Sequence, residues 1–218
     1  MEQMLRGIKE ALIKGDVVRI RELIQSCLHQ GVNPQLVLEQ GLIGGMDVIG
    51  ERFKKDEIYL PEVMIAARAM NAGLEVLEPI LSRGEVEFKG KIVLGTVRGD
   101  LHDVGKNLVS MIFRGAGFRV VDLGIDVSEE RFVHTVEENR ADILGLSALL
   151  TMTLPTMKTT IDTIEEAGLR QKVIIMVGGA PVTQRFADEI GANGYAPDAV
   201  TAVERARELM STKQRRRK

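Results

Sequence analysis

Residues 91–105 have the sequence KIVLGTVRGDLHDVG and decide the prediction of the fold. The apolar run 91–97 is typical of a buried strand, and residues 106–116 are typical of a helix. The polar loop between them contains His102, with Asp100 two residues before it. Because residues two apart at the end of a strand point the same way, Asp100 can hydrogen-bond one imidazole nitrogen while the other nitrogen faces a metal. This loop is therefore a candidate metal-ligand site.

Apolar runs alternate with helix-length amphipathic segments through the rest of the chain. The runs lie at 91–97, 118–123, 142–146, 172–177 and, more weakly, 193–196, and a final helix is expected from about 197 to 210. This alternation predicts an α/β fold with a Rossmann-like (flavodoxin-like), doubly wound, five-stranded parallel sheet that is covered on both faces. Ligands of such sheets bind beyond the carboxyl ends of the strands, and the His102 loop follows the first strand.

The first 88 residues show helical spacing and almost no strand signal. The predicted helices lie at about 5–13, 17–30, 34–53 and 61–81. Four antiparallel helices joined by short loops predict a four-helix bundle. The polar, glycine-containing segment 82–90 is interpreted as a linker, which divides the chain into a helical domain, 1–88, and a sheet domain, 89–218.

Composition excludes several classes of protein. The chain has 218 residues and a formal net charge of −2, so nucleic acid is not expected as a partner. The single cysteine, Cys27, allows no intrachain disulfide, and neither a signal peptide nor a membrane-spanning run is recognised, so a cytoplasmic protein with no membrane partner is expected. The basic residues 213–218 are expected to form a solvated, frayed terminus.

Two further strand exits carry residues suited to a ligand. Hydroxyls at Ser147, Thr151 and Thr153 can donate hydrogen bonds, and Gly178 and Gly179 can let a flat ring approach the backbone. Each feature also has an ordinary interpretation, since hydroxyls often cap helices and paired glycines often form turns. All three exits belong to one predicted sheet edge, however, and this coincidence favours a common site.

Several common cofactor loops do not fit the sequence. A phosphate-binding loop would need four residues between its glycines, whereas five separate Gly99 from Gly105, and Asn107 stands where Ser or Thr would hold magnesium. A dinucleotide fingerprint is absent after the first strand, and His102 has no second His or Cys nearby for zinc. A metal with a single protein ligand must arrive already chelated, which points to a macrocyclic cofactor.

These residues resemble the three-part signature of the cobalamin-binding domains. The signature here is Asp100-x-His102-x-x-Gly105, Ser147-x-Leu149 and the pair Gly178-Gly179. In the helical half, residues 45–53 and 59–62 resemble the cap of methionine synthase and of small corrinoid proteins. The resemblance covers nearly the whole chain, and its two-domain order is similar to the free-standing corrinoid proteins of methylamine and methanol methyltransferase systems.

The resemblance implies a role for each part of the site. His102 would be the lower axial ligand of cobalt in a corrinoid bound base-off and His-on, and Asp100 would accept the other ring N–H. Thr153 stands where methionine synthase has a serine that extends this relay, and its extra methyl group restricts χ1. The loop positions are Gly99, Asp100, Leu101, His102, Asp103, Val104 and Gly105; the tail-pocket positions are Ser147, Leu149, Thr151, Gly178, Gly179, Tyr195, Asp198 and Ala199. The positions implied for the upper face are Glu39, Met46, Phe53 and Leu60, of which Met46 has an equal alternative as bundle core.

The function implied by the resemblance is that of a non-catalytic corrinoid carrier. Its cobalamin or related corrinoid (methylcobalamin when methylated) would cycle between Co(I) and methyl–Co(III). One partner would be a substrate-specific methyltransferase, and a second methyltransferase would pass the methyl group to tetrahydrofolate or coenzyme M. A reductive activase would restore oxidised cobalt. The alternatives are a cobalamin-dependent sensor or regulator and a flavodoxin-like module without a corrinoid.

Overall fold

The computed structural model describes residues 2–81 and 88–216. The chain divides into two compact units, one of Met1–Lys89 with Arg114–Phe118 and the other of Gly90–Phe113 with Arg119–Lys218. Most of the predicted linker, residues 82–87, lies outside the described residues.

The first unit is helical, as predicted. Its helices are α1 (Glu2–Lys14), α2 (Val17–His29), α3 (Pro34–Leu36), α4 (Gly44–Lys54) and α5 (Leu60–Leu81). A π-helical stretch, Val37–Ile43, joins α3 directly to α4, so the four predicted helices are present and the third contains a stretch that periodicity did not indicate. Asp16 caps α2 by accepting a hydrogen bond from the amide of Arg19 (2.9 Å).

Glycines in the third helix let α1 approach it closely. A Cβ placed on Gly41 would lie 3.0 Å from the Ile8 side chain, and one on Gly45 would lie 2.9 Å from the Leu12 side chain. Ile8 and Leu12 are fully buried, and their spacing of four residues places them on one face of α1. The bundle core is therefore built around a contact between an aliphatic row and a glycine row.

The second unit contains a parallel sheet of five strands. Its strands are β1 (Lys91–Thr96), β2 (Arg119–Asp122), β3 (Ile143–Ser147), β4 (Ile174–Gly178) and β5 (Gly194–Tyr195). Its helices are α6 (Val104–Gly115), α7 (Glu129–Asn139), α8 (Leu154–Glu166), α9 (Gln184–Glu189) and α10 (Ala199–Arg216). The strand order β2-β1-β3-β4-β5 confirms the predicted fold class, and it reverses between β1 and β3, where such sheets bind ligands.

The C-terminal helix is longer than predicted. It continues to Arg216 instead of ending near Met210, so the expected frayed end is wrong at least up to Arg216. Hydroxyls of Ser211 and Thr212 donate to the Glu208 carbonyl, and the Lys213 ammonium donates to the Lys172 carbonyl, which secures the last turns. Residues 217–218 lie outside the described part of the chain.

None of the helices in the described ranges is long and apolar enough to cross a membrane.

Candidate functional site

Asp100 connects the loops that follow β1 and β3 at the carboxyl end of the sheet. It is fully buried, and its Oδ1 accepts hydrogen bonds from the amide (3.1 Å) and the ring Nδ1 (2.7 Å) of His102. Its Oδ2 accepts hydrogen bonds from the amides of Leu149 (2.7 Å) and Leu150 (3.1 Å) and from the Thr153 hydroxyl (2.8 Å). One carboxylate thus joins two loops that are about fifty residues apart in sequence.

These contacts set the charge of Asp100. Burial acts to raise the pKa of its carboxyl, but the hydrogen bonds from the His102 ring and from the amides of Leu149, His102 and Leu150 outweigh burial and hold the pKa well below its usual range. An ionised carboxylate only accepts hydrogen bonds, so Nδ1 of His102 carries a proton in this contact. The Nε2 atom then keeps its lone pair for a metal, and the His102 side chain is about half exposed (48%).

The backbone of the His102 loop is held at several points. The Thr96 hydroxyl donates to the His102 carbonyl (2.9 Å), and the Gly99 amide donates to the Asp126 carboxylate (2.7 Å). The Asp126 amide in turn donates to the Asp100 carbonyl (3.1 Å). Gly99 has a φ of +82°, a conformation that glycine adopts without strain. The exits of β1 and β2 together therefore fix the direction of the His102 side chain.

The glycines of the signature differ in what surrounds them. A Cβ on Gly179, whose φ is +131°, would lie 1.8 Å from the Ala148 carbonyl oxygen, so the close approach of two strand exits requires this glycine. The backbone packing alone explains this glycine, and its predicted role beside a flat ring stays a prediction. A Cβ on Gly105 would meet no atom within 4 Å. Gly105 therefore leaves open space beside the His102 loop, where a large group can lie against the backbone.

Exposed apolar side chains lie in the His102 loop and in the loop that Asp100 connects to it. Five large aliphatic or thioether side chains of the two loops are exposed, and Met152 is the most exposed at 88%. They are Leu101, Val104, Leu149, Leu150 and Met152. Several exposed apolar side chains in two connected loops are candidates for a binding surface. Leu150 and Met152 were missed by the sequence analysis, although apolar residues directly after a strand in an otherwise polar loop could have indicated them.

The remaining tail-pocket positions lie at the same edge of the sheet. Ser147 ends β3 opposite Thr96, and Tyr195 ends β5. Asp198 is the N-cap of α10, because its carboxylate accepts hydrogen bonds from the amides of Val200 (2.9 Å) and Thr201 (2.8 Å). This capping role was not predicted, and it explains why α10 begins at Ala199 instead of near residue 197. Thr151 is exposed.

The upper-face positions belong to the first unit. Glu39 lies in the π-helical stretch, is exposed and accepts a hydrogen bond from the Gln35 side chain (2.6 Å). Met46 is buried, Phe53 is partly buried near the end of α4, and Leu60 is exposed at the start of α5. A π-helical stretch inside an α-helix is often found at functional sites.

The side chains at this site suit a metal that is already held by another chelating group. Among the described residues, no group of three or more His, Cys, Asp or Glu side chains could hold a bare metal ion. The edge instead offers one imidazole, an apolar surface and the open space beside Gly105. These features fit a large metal chelate to which His102 would supply one further ligand.

Comparison with known proteins identifies this chelate. A family model described as a B12 binding domain matches residues 90–204, and a second model with the same description matches residues 4–78. The chain belongs to the B12-binding family. Its cofactor is cobalamin or a related corrinoid, and the interpretation as a sheet module without a corrinoid is wrong.

The relatives of this B12-binding protein are corrinoid proteins of methyltransferase systems. It is 46% identical over 211 residues to dimethylamine corrinoid protein 1 of Methanosarcina acetivorans, and the aligned region covers 96% of this chain and 99% of that protein. It is 43% identical over 210 residues to a corrinoid protein of Desulfitobacterium hafniense, covering 95% and 97%. The resemblance stated from the sequence is confirmed.

Solved structures support the same assignment for the fold. The methanol:cobalamin methyltransferase complex MtaBC of Methanosarcina barkeri matches with a TM-score of 0.85 and 29% identity, covering 97% of this chain and 80% of that chain. A cobalamin-binding protein of Desulfitobacterium hafniense matches with a TM-score of 0.74 and 32% identity, covering 94% and 97%.

Proposed function

We propose that this corrinoid protein is a methyl carrier that serves two methyltransferases, one that delivers a methyl group and one that removes it. The observation that carries the proposal is the half-exposed His102 ring, which the buried Asp100 holds at 2.7 Å within an apolar surface. The names of its relatives, which mention dimethylamine and a methanol methyltransferase complex, support a small methylated compound as donor. Those names also favour a carrier over the regulatory alternative.

His102 would bind the corrinoid cobalt through Nε2, with the nucleotide tail displaced and lodged beside Gly105. The tail-pocket residues Ser147, Leu149, Thr151, Gly178, Gly179, Tyr195, Asp198 and Ala199 would line its path. The bound corrinoid would supply the chemistry of methyl transfer, by cycling between Co(I) and methyl–Co(III). The protein would set axial ligation, access and docking.

The chain's own role in the cycle would be to hold a proton. The Nδ1 proton of His102 would stay in the hydrogen bond to the buried Asp100 carboxylate, which leaves Nε2 for the metal. The Thr153 hydroxyl lies 2.8 Å from Asp100 Oδ2 and 2.9 Å from the Leu150 carbonyl, so its single proton can serve either acceptor. The Thr153 hydroxyl would therefore connect the Asp100–His102 pair to the β3 exit loop.

The helical unit would cover the upper, methyl-bearing face of the corrinoid. Glu39, Met46, Phe53 and Leu60 are the positions proposed for this cover. Its purpose would be to keep water from a reactive centre, and it would move aside for each methyltransferase. A third partner, a reductive activase, would return oxidised cobalt to the cycle.

The test combines cofactor retention with methyl transfer. The purified protein is reconstituted with hydroxocobalamin, passed through gel filtration, reduced and offered candidate donors with their cognate methyltransferases. We expect the corrinoid to comigrate with the protein and the methyl group to appear on it with at least one donor system. A protein that retains the corrinoid but accepts a methyl group from none of the methylamine and methanol systems would contradict the carrier function.

A further inference from the structure

An ion pair between a buried lysine and a partly exposed aspartate lies at the start of the helix that follows the His102 loop. The Lys106 side chain is 2% exposed, and its ammonium donates to both carboxylate oxygens of Asp122 (2.7 and 2.6 Å) and to the side-chain carbonyl of Asn107 (2.7 Å). An ammonium group has three N–H donors, and each of them has an acceptor here. Lys106 directly follows Gly105 in sequence, and the carrier function gives it no role.

This position is unfavourable for a lysine. Lys106 lies in the first turn of α6, where the helix dipole disfavours a positive charge, and burial removes the charge from water. A buried ion pair is also weak evidence for stability, since apolar residues of similar size often stabilise as well or better. The pair is therefore better explained by the geometry that it imposes.

Hydrogen bonds connect the ion pair to Asp103, the residue that follows His102. Asn107, which accepts from Lys106, donates through its side-chain amide to the Asp103 carboxylate (3.0 Å) and through its backbone amide to the Asp103 carbonyl (2.7 Å). Asp103 directly follows His102 in sequence. On the other side, Asp122 ends β2 and accepts from the Gly124 amide (2.9 Å). This series of hydrogen bonds therefore connects the residue after His102 to the end of strand β2.

The His102 loop therefore has two anchors. Its first end follows β1, whose Thr96 holds the His102 carbonyl at 2.9 Å. Its second end enters α6, and the ion pair of Lys106 with Asp122 fixes the first turn of that helix to β2. We propose that Lys106 is a positioning residue for the axial histidine: by fixing the second end of the loop, it keeps Nε2 of His102 directed at the cobalt position. This inference rests on the proposed binding of the corrinoid by His102.

A double-mutant cycle tests the coupling between Lys106 and His102. The variants are Lys106→Met, which keeps the length and removes the charge, and Asn107→Ala, which removes the side-chain contacts with Lys106 and Asp103 but keeps the ion pair with Asp122. Each is made alone and together with His102→Ala. The probe is cob(II)alamin, whose nucleotide tail is expected to keep its affinity measurable without the histidine. Because the chain has no Trp, binding is followed by corrinoid absorbance.

We expect Lys106→Met to weaken cob(II)alamin binding about tenfold when His102 is present, in line with the effect of residues that orient a metal ligand. When His102→Ala is already present, Lys106→Met should weaken cob(II)alamin binding little beyond the effect of His102→Ala alone. Asn107→Ala should show the same pattern with a smaller effect. The electron paramagnetic resonance (EPR) spectrum of the Lys106→Met complex should contain a smaller fraction of nitrogen-coordinated Co(II).

The matched control is Lys158→Met, which removes an exposed ion pair with Asp162 on α8 and should leave both readouts unchanged. Circular dichroism and thermal unfolding establish that each variant is folded; if Lys106→Met does not fold, Asn107→Ala alone decides the outcome. Equal losses of affinity with and without His102 would overturn the positioning role. Failure of the unmodified protein to bind cob(II)alamin would instead overturn the proposed function.

Discussion

The Oδ1 atom of Asp100 lies 2.7 Å from Nδ1 of His102, and the carboxylate is fully buried while the ring is half exposed. This pairing fixes the tautomer of the ring and places a buried carboxylate behind it. The rest of the site follows from this relationship, because the same carboxylate also holds the β3 exit loop.

Asp100→Asn should destabilise the protein and weaken axial ligation. The Asn side chain has one acceptor oxygen, whereas the Asp100 carboxylate accepts five hydrogen bonds, so buried donors of the β3 exit loop would lose their acceptor. We expect a loss of about 2–4 kcal/mol in the free energy of unfolding, since one or two unsatisfied buried donors cost about 1–3 kcal/mol each. Urea unfolding of the protein without cofactor measures this. A loss below about 0.5 kcal/mol, the scale of an ordinary surface substitution, would show that the carboxylate does not hold the loop.

The contribution of Asp100 to stability should depend on pH in acid. Its folded-state pKa lies below the ordinary carboxyl value of about 4, so its charge stabilises the fold at pH values above that ordinary value. The contribution is lost as the pH falls below about 4 toward the folded-state pKa. The stability difference between the unmodified protein and Asp100→Asn should therefore shrink between about pH 4 and the acid limit of folding. A constant difference across this range would contradict the lowered pKa.

Thr153 offers a conservative pair of substitutions. Thr153→Val keeps the shape but removes the hydroxyl that donates to Asp100 Oδ2, and Thr153→Ser keeps the hydroxyl but removes the methyl group. We expect Thr153→Val to cost about 1 kcal/mol of stability and to lower the fraction of His-ligated corrinoid. Thr153→Ser should retain the His-ligated fraction of the unmodified protein. If the fraction of His-ligated corrinoid is the same in all three proteins, Thr153 has no part in the relay.

Gly179 and Gly105 should respond to alanine in opposite ways. Gly179→Ala places a Cβ against the Ala148 carbonyl oxygen at a φ of +131°, so a severe loss of stability is expected even without cofactor. Gly105→Ala meets no atom within 4 Å and lies in the first turn of α6, so stability without cofactor should hold or increase by up to about 1 kcal/mol. Corrinoid binding by Gly105→Ala should be weakened, because the methyl group enters the proposed path of the tail. Unchanged corrinoid affinity in Gly105→Ala would place the tail elsewhere.

Most of the fold could be predicted from the sequence, because the central strands β1, β3 and β4 are largely apolar runs and the long helices of the first unit have regular apolar stripes. The π-helical stretch Val37–Ile43 could not be predicted, since its residues are compatible with an α-helix and the extra residue per turn arises from packing. The length of α10 was also missed, because its last turns are held by contacts such as that of Lys213 with the Lys172 carbonyl.

The site was predicted where local spacing determines it and missed where distant segments meet. The pairing of Asp100 with His102 follows from a spacing of two residues. The contact of Gly179 with Ala148 and the ion pair of Lys106 with Asp122 depend on how neighbouring strand exits approach each other, and no local pattern encodes that approach. Asp198 was assigned to a ligand, and its capping role was missed because the predicted helix began about two residues too early.

The most direct test of axial ligation by His102 is the EPR spectrum of cob(II)alamin bound to protein that carries ¹⁵N-labelled histidine. An axial nitrogen of natural isotope splits each cobalt line into a triplet, and a ¹⁵N nucleus splits it into a doublet. Coordination by His102 predicts triplets with unlabelled protein, doublets with labelled protein, and loss of the doublets in labelled His102→Ala. Triplets that persist in the labelled protein would show that the cofactor's own base is the ligand, and would contradict the account.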